Sequence, residues 1–338
     1  MQQLTPADYF ALPRRPVLLD VRSPAEYAAG HIEGAINLPL FSDAERAEVG
    51  TRYKRVSADD ALLRGLDIVG PKLRALVEGA RAAAPHGDVV VQCWRGGQRS
   101  ASVAWLLRQG GMRVSQLLGG YKAYRAYARH YLADAPYTLR VISGPTGSHK
   151  THVLHALREA GAATLDLEGL ANHKGSSFGA LGEEEQPSTE AFENKLFAAL
   201  YALPKDRPVW VEDESRMIGT VCQPDVFYDR LLHSPPIELR LPLDWRVDNL
   251  VGDYSRYPKQ LLADAFTRLR KRLGGQHLQV ALDALEQDDY HTACRVALVY
   301  YDKAYAHYAT RRPIAVQLRV EATSRDPAAI AEQLLALC

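Results

Sequence analysis

The chain has 338 residues, 47% hydrophobic and 24% charged, and its 24 Gly and 19 Pro are scattered rather than clustered, so collagen-like, low-complexity and largely disordered classes are excluded. At about 150 residues per domain this length suggests two domains, each able to bury a core of its own. Lys and Arg number 41 against 40 Asp and Glu, so any affinity for nucleic acid has to come from a local basic patch and not from net charge.

Cys93, Cys222, Cys294 and Cys338 lie far apart with no CxxC pair, which argues against a zinc centre and against a disulfide framework. The N-terminus has no charged segment followed by an apolar run, and no stretch approaches about 18 apolar residues. A cytoplasmic protein with no membrane partner is the expectation.

In chain order, Val17-Leu-Leu-Asp-Val21 reads as a strand and Val89-Val-Val-Gln92 as another, while Pro71 to Ala84 and Ser100 to Gln109 space Leu, Val and Ala on one helix face. This alternation is the pattern of a parallel sheet covered by helices. A Tyr-rich helix follows Gly119-Gly120 and leads to a boundary near Ala135-Pro136. The expected domains are 1–135 and 136–338.

The loop Cys93-Trp-Arg95-Gly-Gly-Gln-Arg99-Ser100 opens where an apolar strand ends and closes at a helix start. Loop amides, a helix N-terminus and the guanidinium groups of Arg95 and Arg99 together favour a thiolate, so Cys93 is the candidate nucleophile. The spacing of a cysteine, five residues and Arg99 also fits the loop with which rhodanese-related phosphatases and arsenate reductases surround an oxyanion. That alternative, fused to a nucleotide-binding domain, stays open.

The second series of strands is expected at Thr138 to Ile142, Thr164 to Leu167, Pro208 to Val211, Ile237 to Leu241 and Pro313 to Val320, with a helical insertion at about 245–312. The first strand runs into Gly144-Pro-Thr146-Gly147-Ser148-His149-Lys150-Thr151 and then a helix, the order of a P-loop. Backbone amides and Lys150 would bind phosphate, and the Thr151 hydroxyl would meet a magnesium ion. His149 stands where that motif has its last glycine.

Glu212-Asp213-Glu214 ends a strand, and Asp213 is the candidate for metal or water contact. In Asn172-His173-Lys174-Gly-Ser-Ser-Phe-Gly179, His173 and Lys174 are candidates for a second phosphate contact. Between Ser255 and Leu273, Arg256, Lys259, Arg268, Arg270, Lys271 and Arg272 face only Asp264, and Arg268, Arg270, Lys271 and Arg272 are the candidate nucleic-acid contacts. Farther on, Tyr290, Tyr300, Tyr301, Tyr305 and Tyr308 either stack on RNA bases or fill a helical core.

Two resemblances follow from these motifs. Leu18-Leu-Asp20-Val-Arg22-Ser-Pro-Ala-Glu26-Tyr, then Gly30-His31-Ile-Glu-Gly34-Ala-Ile-Asn37, then the cysteine loop, resemble the rhodanese family over about residues 5 to 130. That resemblance implies a persulfide-type adduct on Cys93, with Asp20, Arg22, His31 and Asn37 holding the scaffold. Joined to GPTGSHKT, NHKGSSFG and VEDES, the whole chain resembles the bacterial tRNA 2-selenouridine synthase family. The implied fold is a rhodanese-like parallel-sheet domain followed by a P-loop α/β domain with a helical insertion. The implied reaction converts 2-thiouridine at the wobble position of tRNA to 2-selenouridine, using selenophosphate, with S-geranylation from geranyl diphosphate. Cys93 would handle selenium, and Gly144, Thr146, Gly147, Ser148, Lys150 and Thr151 would bind the diphosphate. The partners would be the anticodon region of tRNA and a selenophosphate synthetase, with no tightly bound cofactor and no resident metal.

Overall fold

The computed structural model describes residues 2–337, so Cys338 lies outside the described residues. The chain divides into two compact units, one running to Tyr131 and the other beginning at Leu132.

The first unit carries strands β1 (Gln2–Leu4), β2 (Val17–Asp20), β3 (Ile36–Asn37), β4 (Asp88–Gln92) and β5 (Arg113–Leu117). They form one parallel sheet in the order β1-β5-β4-β2-β3. β4 lies at its centre, and Val89, Val90 and Val91 are wholly buried, as a strand covered on both faces requires. Helices Leu73–Ala83 and Gln98–Gln109 contribute Leu76, Ala80, Val103, Ala104 and Leu107 to this core. The cysteine loop therefore sits at the carboxyl edge of the sheet, where open α/β sheets place their sites. Helix Gly120–Asp134 follows β5, and its buried Tyr121 and Tyr124 explain the tyrosine-rich sequence.

The second unit carries β6 (Leu139–Ser143), β7 (Ala163–Leu165), β8 (Val209–Glu212), an antiparallel pair β9 (Met217–Ile218) and β10 (Val221–Cys222), then β11 (Pro236–Arg240) and β12 (Leu318–Glu321). Five of these make a parallel sheet in the order β12-β11-β6-β8-β7. Between β11 and β12 stand helices Leu243–Tyr254, Lys259–Arg268, Arg270–Leu273, Gly275–Glu286 and Tyr290–Arg311. They bury a core of their own, including Leu262, Phe266, Leu269, Leu278 and Leu285, and Phe178 from the 172–179 loop joins it. The strand expected from Pro313 begins only at Leu318. Proline has no amide to give a ladder, and β12 is an edge strand paired to β11 alone. No helix of the described residues is long and apolar enough to cross a membrane.

Candidate active sites at the cysteine loop and the phosphate loop

Cys93 is buried, and its Sγ lies 3.2 Å from Ser100 Oγ at the first turn of helix Gln98–Gln109. Ser100 Oγ donates to Gly97 O (3.1 Å), and Gln116 Nε2 donates both to Ser100 Oγ and to Gly96 O (2.7 Å each). The carbonyls of Cys93 and Trp94 accept from the amides of Tyr121 and Lys122 (2.9 Å each). With loop carbonyls drawn outward onto neighbouring elements, loop amides are left to face an anion. Gly120, at φ 59°, makes this contact possible: a Cβ there would collide with the Cys93 carbonyl oxygen.

Arg99 is placed differently from the expectation that it would surround an oxyanion. Its Nη1 donates to Glu26 Oε2 at 2.6 Å, so its charge is engaged by a carboxylate. Arg95 is exposed. The scaffold residues have structural partners. Arg22 makes a buried ion pair with Asp20 at 2.6 Å and stacks on the Tyr121 ring at 3.9 Å, and Asn37 Nδ2 donates to the carbonyls of Asp20 and Arg22.

The phosphate loop follows β6 and leads into helix Lys150–Glu159. Arg246 Nε donates to Thr146 O (2.9 Å) and Asn249 Nδ2 to Gly147 O (3.0 Å), both from helix Leu243–Tyr254. These bonds again turn carbonyls outward. Lys150 Nζ spans the loop to Gly144 O at 3.0 Å, and Ser148 Oγ donates to Pro145 O at 2.5 Å. His149 caps the helix with φ 57° and ψ 31°. That left-handed conformation is the reason the motif has glycine there, and histidine is among the side chains that adopt it with less penalty.

Sequence reasoning chose Asp213 from the three adjacent acids, and the structure places it elsewhere. Its Oδ1 accepts from Arg312 Nη1 and from Tyr308 Oη (2.9 Å), the Asp213 and Arg312 side chains are both 2% exposed, and Asp213 does not line the cavity beside the loop. The acids at the phosphate loop are Glu168 and Glu214. Thr151 Oγ1 donates to Glu168 Oε2 (2.6 Å), the Glu168 amide donates to Glu212 Oε1 (2.9 Å), and Glu168 and Glu214 both line the cavity. Gly175 rests against them, since a Cβ there would stand 2.8 Å from Glu214 Oε2. His173 is likewise corrected: it is buried against Gly179 and Gly219 and is not on the cavity wall. Lys174 does line the cavity, with Nζ 3.0 Å from Glu183 Oε1.

Burial and then the neighbouring Glu168 charge push the Glu214 carboxyl up to about 8, and burial raises Glu168 as well. At neutral pH the Glu168–Glu214 pair therefore retains a proton. An unfolded glutamate loses that proton near 4.5 while the folded one keeps it to about 8, so this group's contribution to stability falls as pH rises between those values. Glu214→Gln should flatten the decline of the thermal midpoint between about pH 5 and 8. An unchanged slope would show that Glu214 is not the proton holder.

The cavity has a volume of about 500 Å³. Residues 146–151, Lys174, Glu168, Glu214 and Arg256 supply its polar lining, and Leu250, Val251, Leu262, Phe266, Leu285, Ala293 and Ala297 from the helical insertion, with Phe178 from the 172–179 loop, supply an apolar lining. Cys294 also lines it, but burial pushes its thiol up to about 12, far from a thiolate at neutral pH. Arg268, Arg270, Lys271 and Arg272 are exposed around a helix break pinned by buried Leu269 and Leu273. The tyrosines of helix Tyr290–Arg311 turn largely inward: Tyr301 Oη accepts from the Ser177 amide, Tyr305 Oη bonds Ser143 and Glu238, and Tyr308 Oη bonds Asp213.

Similarity to known proteins agrees with both halves of this architecture. Residues 7–127 match the rhodanese-like domain, and residues 137–325 match the tRNA 2-selenouridine synthase AAA domain. The chain is 43% identical over 251 residues to a tRNA 2-selenouridine synthase of Bdellovibrio bacteriovorus, covering 70% of this chain and 64% of that protein. A relative with the same name from Shewanella frigidimarina is 36% identical over 312 residues, covering 85% of this chain and 84% of that protein. One from Chromohalobacter salexigens is 37% identical, and 91% of each chain is covered. With a cysteine loop on the first sheet and a phosphate loop on the second, both within matched segments, the chain belongs to the tRNA 2-selenouridine synthase family.

Proposed function

We propose that this protein modifies tRNA, converting wobble 2-thiouridine to 2-selenouridine with selenophosphate through an S-geranylated intermediate made from geranyl diphosphate. The observation that carries the reading is the two-sided lining of the cavity. A phosphate loop with Lys150 and Arg256 suits a diphosphate, and the wall of Leu, Phe and Ala side chains suits a branched hydrocarbon. In the transfer step the thiouridine sulfur attacks C1 of the prenyl group, the C–O bond breaks, and diphosphate leaves. Thr151, Glu168 and, once the cation displaces its proton, Glu214 offer oxygen donors that fit a magnesium ion, which would neutralise the leaving group.

The cysteine loop would serve the selenium step. Selenium in selenophosphate is already at the selenide level, so a sulfur–selenium bond on Cys93 could form only if an oxidant removed two electrons. Attack of the Cys93 thiolate at phosphorus is balanced: S–P forms, Se–P breaks, and selenide leaves to displace the geranyl thiolate at C2 of uracil. Water then frees phosphate from sulfur. The exposed Arg268, Arg270, Lys271 and Arg272 support contact with the tRNA backbone.

Ala297 lies on the apolar wall. Ala297→Phe should exclude roughly three methylene equivalents of the prenyl chain, at about 0.8 kcal/mol each, raising KM for geranyl diphosphate on the order of 50-fold. Affinity for inorganic pyrophosphate should be unchanged. Mass spectrometry of tRNA after incubation with geranyl diphosphate reads the first, and calorimetry the second. If geranyl transfer keeps its wild-type KM, the hydrocarbon does not lie in this cavity.

A further inference from the structure

One group of donors on the cavity wall has no part in the reading above. His149 caps helix Lys150–Glu159, His152 lies in its first turn, and Asp253 comes from helix Leu243–Tyr254. His149 Nε2 stands 3.8 Å from Asp253 Oδ2, and His152 Nε2 stands 3.7 Å from Asp253 Oδ1. The donor atoms of all three lie within 4.8 Å of one another, and the two rings are 4.3 Å apart between centroids.

These separations exceed hydrogen-bond length. Both ring nitrogens of His149 are buried and have no hydrogen-bond partner, whereas His155, one turn further on, bonds Asp166 at 2.6 Å. Two imidazoles and a carboxylate that converge without sharing protons are the arrangement a central cation completes. Around a zinc-type ion with bonds of about 2.0 to 2.2 Å, tetrahedral donors stand about 3.4 Å apart. Each imidazole lies a few tenths of an ångström beyond that from its own carboxylate oxygen, Oδ2 for His149 and Oδ1 for His152, and donor atoms taken one per residue, within 4.8 Å of one another, would close by roughly 1.4 Å at most through side-chain rotation.

We propose that His149, His152 and Asp253 bind one divalent transition ion of the zinc class, with the remaining coordination position open on the cavity wall. Imidazole donors select zinc, cobalt, nickel or copper over magnesium, so this site differs in kind from the oxygen donors at Thr151. The site also gives a role to a histidine that occupies a backbone position suited to glycine.

The test is titration of the full chain with Co²⁺ in excess Mg²⁺. One ion should bind, with the visible absorption of a four-coordinate site, and Zn²⁺ should displace it. His152→Ala, Asp253→Asn and His149→Gly, the last suited to the left-handed backbone, should each weaken Co²⁺ binding at least tenfold. The exposed His277→Ala should leave it unchanged. A wild-type chain that takes up no Co²⁺, or uptake that survives the His152→Ala/Asp253→Asn double substitution, overturns the site. The probe is the metal alone, so the result stands apart from whether the cavity accepts a prenyl diphosphate.

Discussion

Cys93→Ser is expected to lower selenium incorporation by at least two orders of magnitude while leaving the fold and geranyl transfer intact. Serine keeps the branching of cysteine with a smaller atom, and the bonds that shape this loop are made by the carbonyls of Cys93, Trp94 and Gly96, so the substitution leaves them in place. What changes is the nucleophile: a polarisable, intrinsically strong sulfur nucleophile is replaced by an alcohol that needs a positioned base to act. The assay supplies pre-geranylated tRNA and selenophosphate and follows 2-selenouridine by mass spectrometry. A wild-type rate would remove Cys93 from the chemistry. Cys294 is no substitute, since burial holds its thiol protonated.

Lys150→Ala should depress geranyl transfer by on the order of a hundred- to a thousand-fold, mainly in kcat, because loss of one preorganised group that stabilises developing charge costs about 3 to 4 kcal/mol. Lys150 spans the phosphate loop to Gly144 O, over the amides that would hold the departing diphosphate. Net conversion to 2-selenouridine should fall with it, since the alkylated intermediate no longer forms. Pre-geranylated tRNA should restore the selenium step to its full rate. A variant that geranylates normally but fails on pre-geranylated tRNA would show that the two units have been assigned the wrong steps.

What the sequence determined by itself lies in contiguous stretches. Val89 to Gln92 followed by Cys93 to Ser100, and Leu139 to Ser143 followed by Gly144 to Thr151, each contain strand, loop and helix start within about a dozen residues. The hydrophobic pattern and loop glycines that encode such a unit are local, so both loops and both parallel sheets were legible. The helical insertion between β11 and β12 was legible for the same reason.

Only the tertiary structure decided which side chains complete the sites. Glu212, Asp213 and Glu214 are indistinguishable in sequence, yet Asp213 is claimed by Arg312, 99 residues away, while Glu214 reaches the phosphate loop and shares its proton with Glu168. The outward turn of the loop carbonyls depends on Arg246 and Asn249, which follow Thr146 and Gly147 by 100 and 102 residues. The apolar wall comes from several helices of the insertion and from the loop carrying Phe178, which also joins their core. Local propensity fixes where a strand ends and a loop begins. Which acid is neutralised, which carbonyl is tied back and which apolar face lines a cavity depend on burial and on partners brought together by long-range packing.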